Sequence, residues 1–317
     1  MKTWARLLIA SSAIGFWFAL PAAAQSVSVE MLDHYSQTSA AAPTETATPF
    51  SFEIHLRANG AVSMANWGPA YTLPGSVTPP SGAAGNTNTG TRNFSASPNA
   101  GLDYFFQANY ATAGAMTAVY PNNDAVNPYT IHFNGTTPPV PASLSSGLTF
   151  TAGGYANVAP QVTGLDNGAA WSAGLAVSTT GTTNLTLNSG SFTGYTTSSI
   201  GAEIQWRLSD QSGTAILGGG TKYAPSFGFT DSVLSAIAIT GSSLTAGQSY
   251  TLAIQYGIFA GTPGTTSLSG TTFTAYPEYF MNTSIALTAI PEPSTDALML
   301  AFAALGLAVI QRKRARA

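Results

Sequence analysis

The chain has 317 residues, with 10 Lys and Arg against 13 Asp and Glu, and charged residues make up only 7% of it. Typical soluble domains carry about 25%, so helical bundles, which need Glu, Lys and Arg on their wet faces, are disfavoured. The absence of cysteine excludes zinc ribbons, thiol catalysis and disulfide frameworks.

Residues 1–24 read as a secretory signal peptide. Lys2 and Arg6 form a positive start, Leu7 to Leu20 an apolar core, and Ala22, Ala23 and Ala24 a small-residue cleavage site before Gln25. Two partners follow from that reading, the general secretory translocon and a signal peptidase. The body left after cleavage runs from 25 to 290. It holds four basic residues (Arg57, Arg92, Arg207, Lys222) against eleven acidic ones, a formal charge of −7. A surface without a basic patch offers nothing to phosphate, and no nucleic acid is expected as partner.

The body is divided at a proline-rich connector. Residues 25–135 are a β-rich region, beginning with an edge strand over Val27 to Tyr35. Residues 50–57 alternate apolar and polar without a fault. This predicts a half-buried strand with Phe50, Phe52, Ile54 and Leu56 inward. Pro74 to Gly101 is Gly, Asn, Thr, Ser and Pro with one charge, Arg92. It is either a surface loop or a region of weak hairpins. Strands are predicted at Ala115 to Tyr120 and Tyr129 to Phe133. The connector 136–143 has three prolines in four positions and joins either two β subdomains or two sheets of one domain, with two units preferred.

Residues 144–290 have the cleaner pattern. Ile200, Ala202, Ile204, Trp206 and Leu208 alternate with polar residues and Gly201, giving a strand whose Trp faces the core. Residues 209–213 read as a hairpin turn. A strand follows at Ala236 to Thr240. Leu244, Gly247 and Tyr250, leading into alternating Leu252, Ile254 and Tyr256, have the spacing of the tyrosine corner of Greek-key sandwiches. An ordinary hairpin with an inward Tyr fits the same spacing. The last strand runs from Ser284 to Ile290. The expected class is all-β, an antiparallel, Greek-key-like β-sandwich, in one or two subdomains. A signal helix and a C-terminal transmembrane helix flank it.

Chemistry is sparse. His34, His55 and His132 have no second His at ligand spacing, and no calcium loop occurs, so no metal or cofactor is expected. The acidic residues read as scattered singly in loops or on wet strand faces. No nucleophile elbow is present, and a non-enzymatic protein is favoured over a secreted hydrolase. Trp67 and Tyr71, beside Gly68 and Pro69, and Trp171 lie in loop-like contexts. Rings so placed either plug the core under loops or stack on sugar faces, as in a carbohydrate-binding module or adhesin. Four Asn-x-Ser/Thr sequons (Asn93, Asn134, Asn184, Asn282) are what a chain rich in Asn, Ser and Thr produces by composition.

The final 27 residues have three parts. Pro291, Glu292, Pro293, Ser294 and Thr295 make a stiff, extended head, because proline fixes φ and restricts its predecessor. Ser294 or Thr295 can cap the helix that follows. Residues 297–310 carry no charge and, as a helix, span roughly 21 Å against a hydrocarbon core of about 30 Å. Arg312, Lys313, Arg314 and Arg316 close the chain and hold that end on the cytoplasmic side. This order, over 291–317, resembles the PEP-CTERM sorting signal of Gram-negative bacteria. The resemblance implies an exosortase as processing partner, with Pro291, Glu292 and Pro293 recognised. The inner membrane would be a transient anchor and Arg312 to Arg316 the retention end. It further implies delivery to the cell surface or outside, in association with exopolysaccharide, biofilm or floc. Asp296 departs from the apolar residue many such tails have there.

Overall fold

The computed structural model describes residues 25–57, 72–78, 92–93, 95–96, 103–105, 107–120, 129–134, 142–144, 154–166, 170–171, 174–198, 200–225, 229–260, 264–268, 271–291, Leu305 and Arg312. In chain order the strands begin with β1 (Gln25–Gln37), β2 (Thr44–Arg57), β3 (Thr72–Thr78), β4 (Arg92–Asn93) and β5 (Ser95–Ala96). Then come β6 (Asp103–Phe105), β7 (Gln107–Tyr110), helix α1 (Ala113–Val119), β8 (Tyr129–Asn134) and β9 (Ala142–Leu144). The next group is β10 (Val162–Leu165), β11 (Ala170–Trp171), β12 (Leu175–Ser178), β13 (Thr182–Leu187) and the short helix α2 (Gly194–Thr197). The body ends with β14 (Gly201–Ser209), β15 (Ala215–Ala224), β16 (Phe229–Thr230), β17 (Ala236–Thr240), β18 (Ser249–Phe259), β19 (Gly264–Leu268) and β20 (Thr271–Ile290). The fold is therefore mostly β, as composition and alternation predict.

Among the described residues the strands form three sheets. The largest has 13 strands, with the path β16-β15-β14-β18-β20-β1-β2-β6-β5. A three-stranded sheet, β10-β13-β17, and a four-stranded one, β4-β3-β8-β9, complete the set. The three-stranded sheet faces one side of the large sheet. Val162, Leu185, Leu187, Ile237 and Ile239 pack there with Ile204, Leu208, Leu252, Ile254, Ile285 and Leu287 in one buried cluster. Each fully buried aliphatic side chain in it contributes about 1.5–3 kcal/mol. Trp206 lies in the same cluster, as its strand pattern predicts.

Two predicted turns are present. Asp210 closes the β14–β15 hairpin, its Oδ1 accepting from the backbone N–H groups of Ser212 and Thr214 at 2.9 Å each. Gly213 supplies the left-handed residue (φ 83°) that a side chain would resist. At the start of β18 the Tyr250 hydroxyl accepts the N–H of Thr245 at 2.8 Å, a bond back to the backbone five residues upstream. The Leu244–Tyr250 spacing is thus a tyrosine corner rather than a plain hairpin.

Four expectations change. Ala115 to Tyr120 is not a strand but lies in α1 and at its C-cap. Thr112 caps that helix through Oγ1 to Ala115 N, Ala-rich sequence favours it, and Met116 and Tyr120, one turn apart, are both buried. β1 is not an edge strand, since β2 flanks it on one side and β20 on the other. The large sheet is mixed rather than antiparallel, because β1 and β12 each run parallel to β20. Parallel pairing needs a long return of chain, and β1 and β20 stand at opposite ends of the body. Finally, residues 51–54 are buried on both faces rather than half-buried. Ser51 and Glu53, on the face opposite Phe52 and Ile54, are as buried as those two.

The large sheet also draws strands from both sides of the 136–143 connector, with β1 paired to β20 from Gln25↔Phe273 to Gln37↔Ile285. The end of that connector enters β9, which pairs with β8. Within 74–101, β3 and β4 pair as a short antiparallel ladder, which favours hairpins over a bare loop there. The signal segment with Ala22 and Ala24, and residues 136–141, lie outside the described residues. So do Glu292 to Thr295, Lys313, Arg314, Arg316 and all of 297–310 except Leu305. Leu305 and Arg312 are helical and exposed. Among the described residues no helix is long and apolar enough to cross a membrane.

Candidate functional site

The feature that the fold creates is the second face of the large sheet. Side chains alternate along each strand, and register carries one face from strand to strand. The face turned away from the three-stranded sheet bears, row by row, polar residues from β15, β14, β18, β20, β1 and β2.

Its most enclosed row is acidic. Glu53 pairs with Glu30, and Glu30 with Glu278. All three are at most 5% exposed, and Ser28 Oγ donates to Glu30 Oε1 at 2.8 Å. Carboxylates that read as scattered in the sequence are thus brought side by side. Like charges this close oppose each other unless other groups compensate, and each of the three is engaged by further groups. Among the described residues no group of three or more His, Asp or Glu is placed to hold a metal ion.

The next row contains an ion pair. Lys222 Nζ lies 3.1 Å from Glu203 Oε2 and 4.8 Å from the centre of the Phe259 ring. Gln205 Nε2 donates to the other Glu203 oxygen. Gly257 stands between Glu203 and Phe280 in register. A Cβ there would come within 2.3 Å of the Phe280 ring, so glycine is what lets that ring lie across the sheet.

The third row is amide and imidazole: Gln205, Gln255, Asn282 and His34, neighbours on β14, β18, β20 and β1. Asn282 Nδ2 lies 3.4 Å from His34 Nδ1, and His34 Nε2 lies 3.0 Å from Ser51 Oγ. Asn282 therefore donates to Nδ1, and the protonated Nε2 donates to Ser51. Burial pushes the His34 imidazole down to about 4, so it is neutral at ordinary pH. The next row, Arg207, Ala253 and Ser284, is still largely buried, and the face opens only beyond it. Ser284 is half-buried, and Thr251, Ala286 and Thr288 are exposed.

On the core-facing side, Asp33 is buried and its Oδ2 accepts the Tyr35 hydroxyl at 2.8 Å. Burial raises its carboxyl to about 6; the Tyr35 bond offsets part of that rise, and the charge of Glu45 adds to it. A folded value above the unfolded one means that the native state holds the proton more tightly. This contribution is complete below about pH 4 and is lost as pH rises through about 6. His34, depressed on folding, works in the opposite sense over the same range. Asp33→Asn is therefore compared with the wild type at each pH. The variant is expected to gain in thermal midpoint relative to wild type between pH 4 and 7, and a constant difference would show that Asp33 does not titrate there.

Of the sequence-predicted aromatics, Trp171 is in β11, half-buried and packed against the main core. Trp67 and Tyr71 lie outside the described residues. Of the sequons, Asn282 is buried and Asn184 exposed. A comparison with protein-family models finds no match to this chain, and a comparison with curated proteins finds none either. The polar row itself was missed in the sequence because each member sits at the polar position of an alternating strand, where solvent is the default reading. The available signal was that several strands carry amide or carboxyl groups at those positions while the chain as a whole carries few charges.

Proposed function

We propose that this is an exported, non-enzymatic surface or matrix protein whose body is a β-sandwich and whose tail is a PEP-CTERM signal read by an exosortase. The observation that carries the reading is the order of residues in 291–317: Pro-Glu-Pro-Ser-Thr head, uncharged apolar run, Arg/Lys end. In this scheme Pro291 to Pro293 are recognised, 297–310 holds the chain transiently in the inner membrane, and the basic end keeps its orientation. The destination is the cell surface or the exopolysaccharide matrix.

Two features of the body support it. Gln25, the residue after the signal cleavage site, is also the first residue of β1 and pairs with Phe273. At the other end, β20 makes its last pairing at Ile290 with Ser178, and Pro291 is exposed. Removal of both termini therefore leaves every described sheet pairing in place. The two-layer packing of the three-stranded sheet on the large one, with the Tyr250 corner, supports the sandwich description.

Intact-mass analysis of the protein recovered from the surface or medium of its host tests this directly. The expected species begins at Gln25 and lacks the apolar run and basic end, with any sugar or lipid visible as added mass. Recovery of an intact 291–317 tail in the surface fraction would defeat the proposal.

A further inference from the structure

We infer that the free edge of β17 is a self-association surface, where a second copy of this chain adds its own β17 antiparallel about a two-fold axis at Ala238. The inference goes beyond the sorting proposal and does not depend on it.

The first ground is the direction of the backbone. Leu187 N–H donates to Ser235 O and Gly241 N–H to Gly181 O, both at 2.9 Å. In an antiparallel ladder such bonded pairs alternate with unbonded ones. With Thr182↔Thr240 to Thr186↔Ala236 in register, the odd-numbered residues of β17 bond to β13. Ala236, Ala238 and Thr240 therefore turn their N–H and C=O groups away from it. All three are exposed, and among the described residues no strand pairs with β17 on that side.

The second ground is how other edges are closed. Natural sheets blunt an edge with short strands, charge, proline, bulges or a covering group. At the opposite edge of the same small sheet, the Gln37 side chain takes the place of a strand. Its Nε2 donates to Val162 O and its Oε1 accepts the Val162 N–H, both at 3.0 Å. The strands β4, β5 and β16 have only two residues each. By contrast β17 has five, Ala-Ile-Ala-Ile-Thr, with no proline, no charge and no bulge against β13.

Charge and symmetry select a second copy as the occupant. A two-fold axis at Ala238 pairs Ala236 of each copy with Thr240 of the other and closes about six N–H···O=C bonds. The side chains brought together are small. No residue from Ser232 to Pro277 is charged, although the body carries a formal charge of −7. Two acidic copies can therefore meet here without like charges opposite each other. Ile237 and Ile239 are already buried within each copy, so the gain is mainly backbone bonding. One five-residue pairing falls below the standard interface of about 1,200 Å² and gives a reversible monomer–dimer equilibrium.

Sedimentation of the full-length chain in detergent, over a wide concentration range, tests the assignment. The protein mass is expected to double as concentration rises. Ala238→Pro removes the outward N–H at the axis and leaves the β13 ladder untouched, while Ala238→Lys sets two ammonium groups opposite each other. Each should hold the chain monomeric at an unchanged thermal midpoint. Thr163→Lys, at an exposed position of β10, should leave the dimer intact. The chain has no cysteine, so Ala238→Cys checks the register. Cα atoms about 5.5 Å apart at the axis suit a disulfide, and mild oxidation should give a covalent dimer that Thr163→Cys does not. Should Ala238→Pro fail to fold, the Lys and Cys variants decide, since Ala238 is exposed. The assignment is overturned if the wild type stays monomeric or if Ala238→Cys gives no covalent dimer. It is also overturned if the dimer survives Ala238→Lys, as one held by the 297–310 run would, or if Thr163→Lys removes it as well.

Discussion

Lys222→Ala is expected to cost about 3 kcal/mol of stability, the low end for breaking a buried ion pair. Lys222 and Glu203 side chains are 11% and 3% exposed and 3.1 Å apart. Removing the ammonium strands a carboxylate that, among the described residues, keeps only the Gln205 amide as a hydrogen-bonded neighbour, and it also takes the cation from the Phe259 ring. The pair itself is not the source of much stability, because desolvating two charges offsets most of their attraction. Glu203→Gln with Lys222→Met should therefore recover most of what Lys222→Ala loses. Urea unfolding of the wild type, the single variant and the double variant gives both numbers. A single-variant cost below about 1 kcal/mol, the range of exposed pairs, would mean that water screens this pair and that the polar face is wetter than its burial indicates.

Pro291→Ala with Pro293→Ala is expected to abolish C-terminal processing in the host. The two prolines remove backbone freedom on either side of Glu292, so under the proposed sorting reading the head would enter a recognition groove already extended. With alanines the head becomes flexible, and good helix formers now stand directly before the apolar run. The variant should accumulate in the inner membrane at the mass of the chain from Gln25 to Ala317. The body should be unaffected, because the last strand pairing ends at Ile290 and the described residues beyond it make no sheet contact. Normal cleavage and surface delivery of the double variant would rule out recognition at this motif.

How far the sequence could be read depended on whether the deciding contacts were local. The hairpin at Asp210 to Gly213 and the corner at Tyr250 were legible because their bonds join residues two to five positions apart. The alternation in 200–208 placed Trp206 correctly, since one face of that strand meets the core. Ala115 to Tyr120 was misjudged because a short apolar run fits either period. The cap at Thr112 and the burial of Met116 and Tyr120 made it a helix.

The sequence by itself determined the β class, the hairpin turn at Asp210 to Gly213, the corner at Tyr250, and the three-part order of residues 291–317. All of these follow from local periodicity, backbone restriction and charge. Only the tertiary structure decided that β1 is interior, and that β1 and β12 run parallel to β20. It also decided that the polar halves of β1, β2, β14, β18 and β20 are turned inward together. Alternation tells which residues share a face of one strand. It carries no information about what covers the second face of the sheet, nor about which distant strand lies alongside, and those two facts place Gln205, Gln255, Asn282 and His34 in one row.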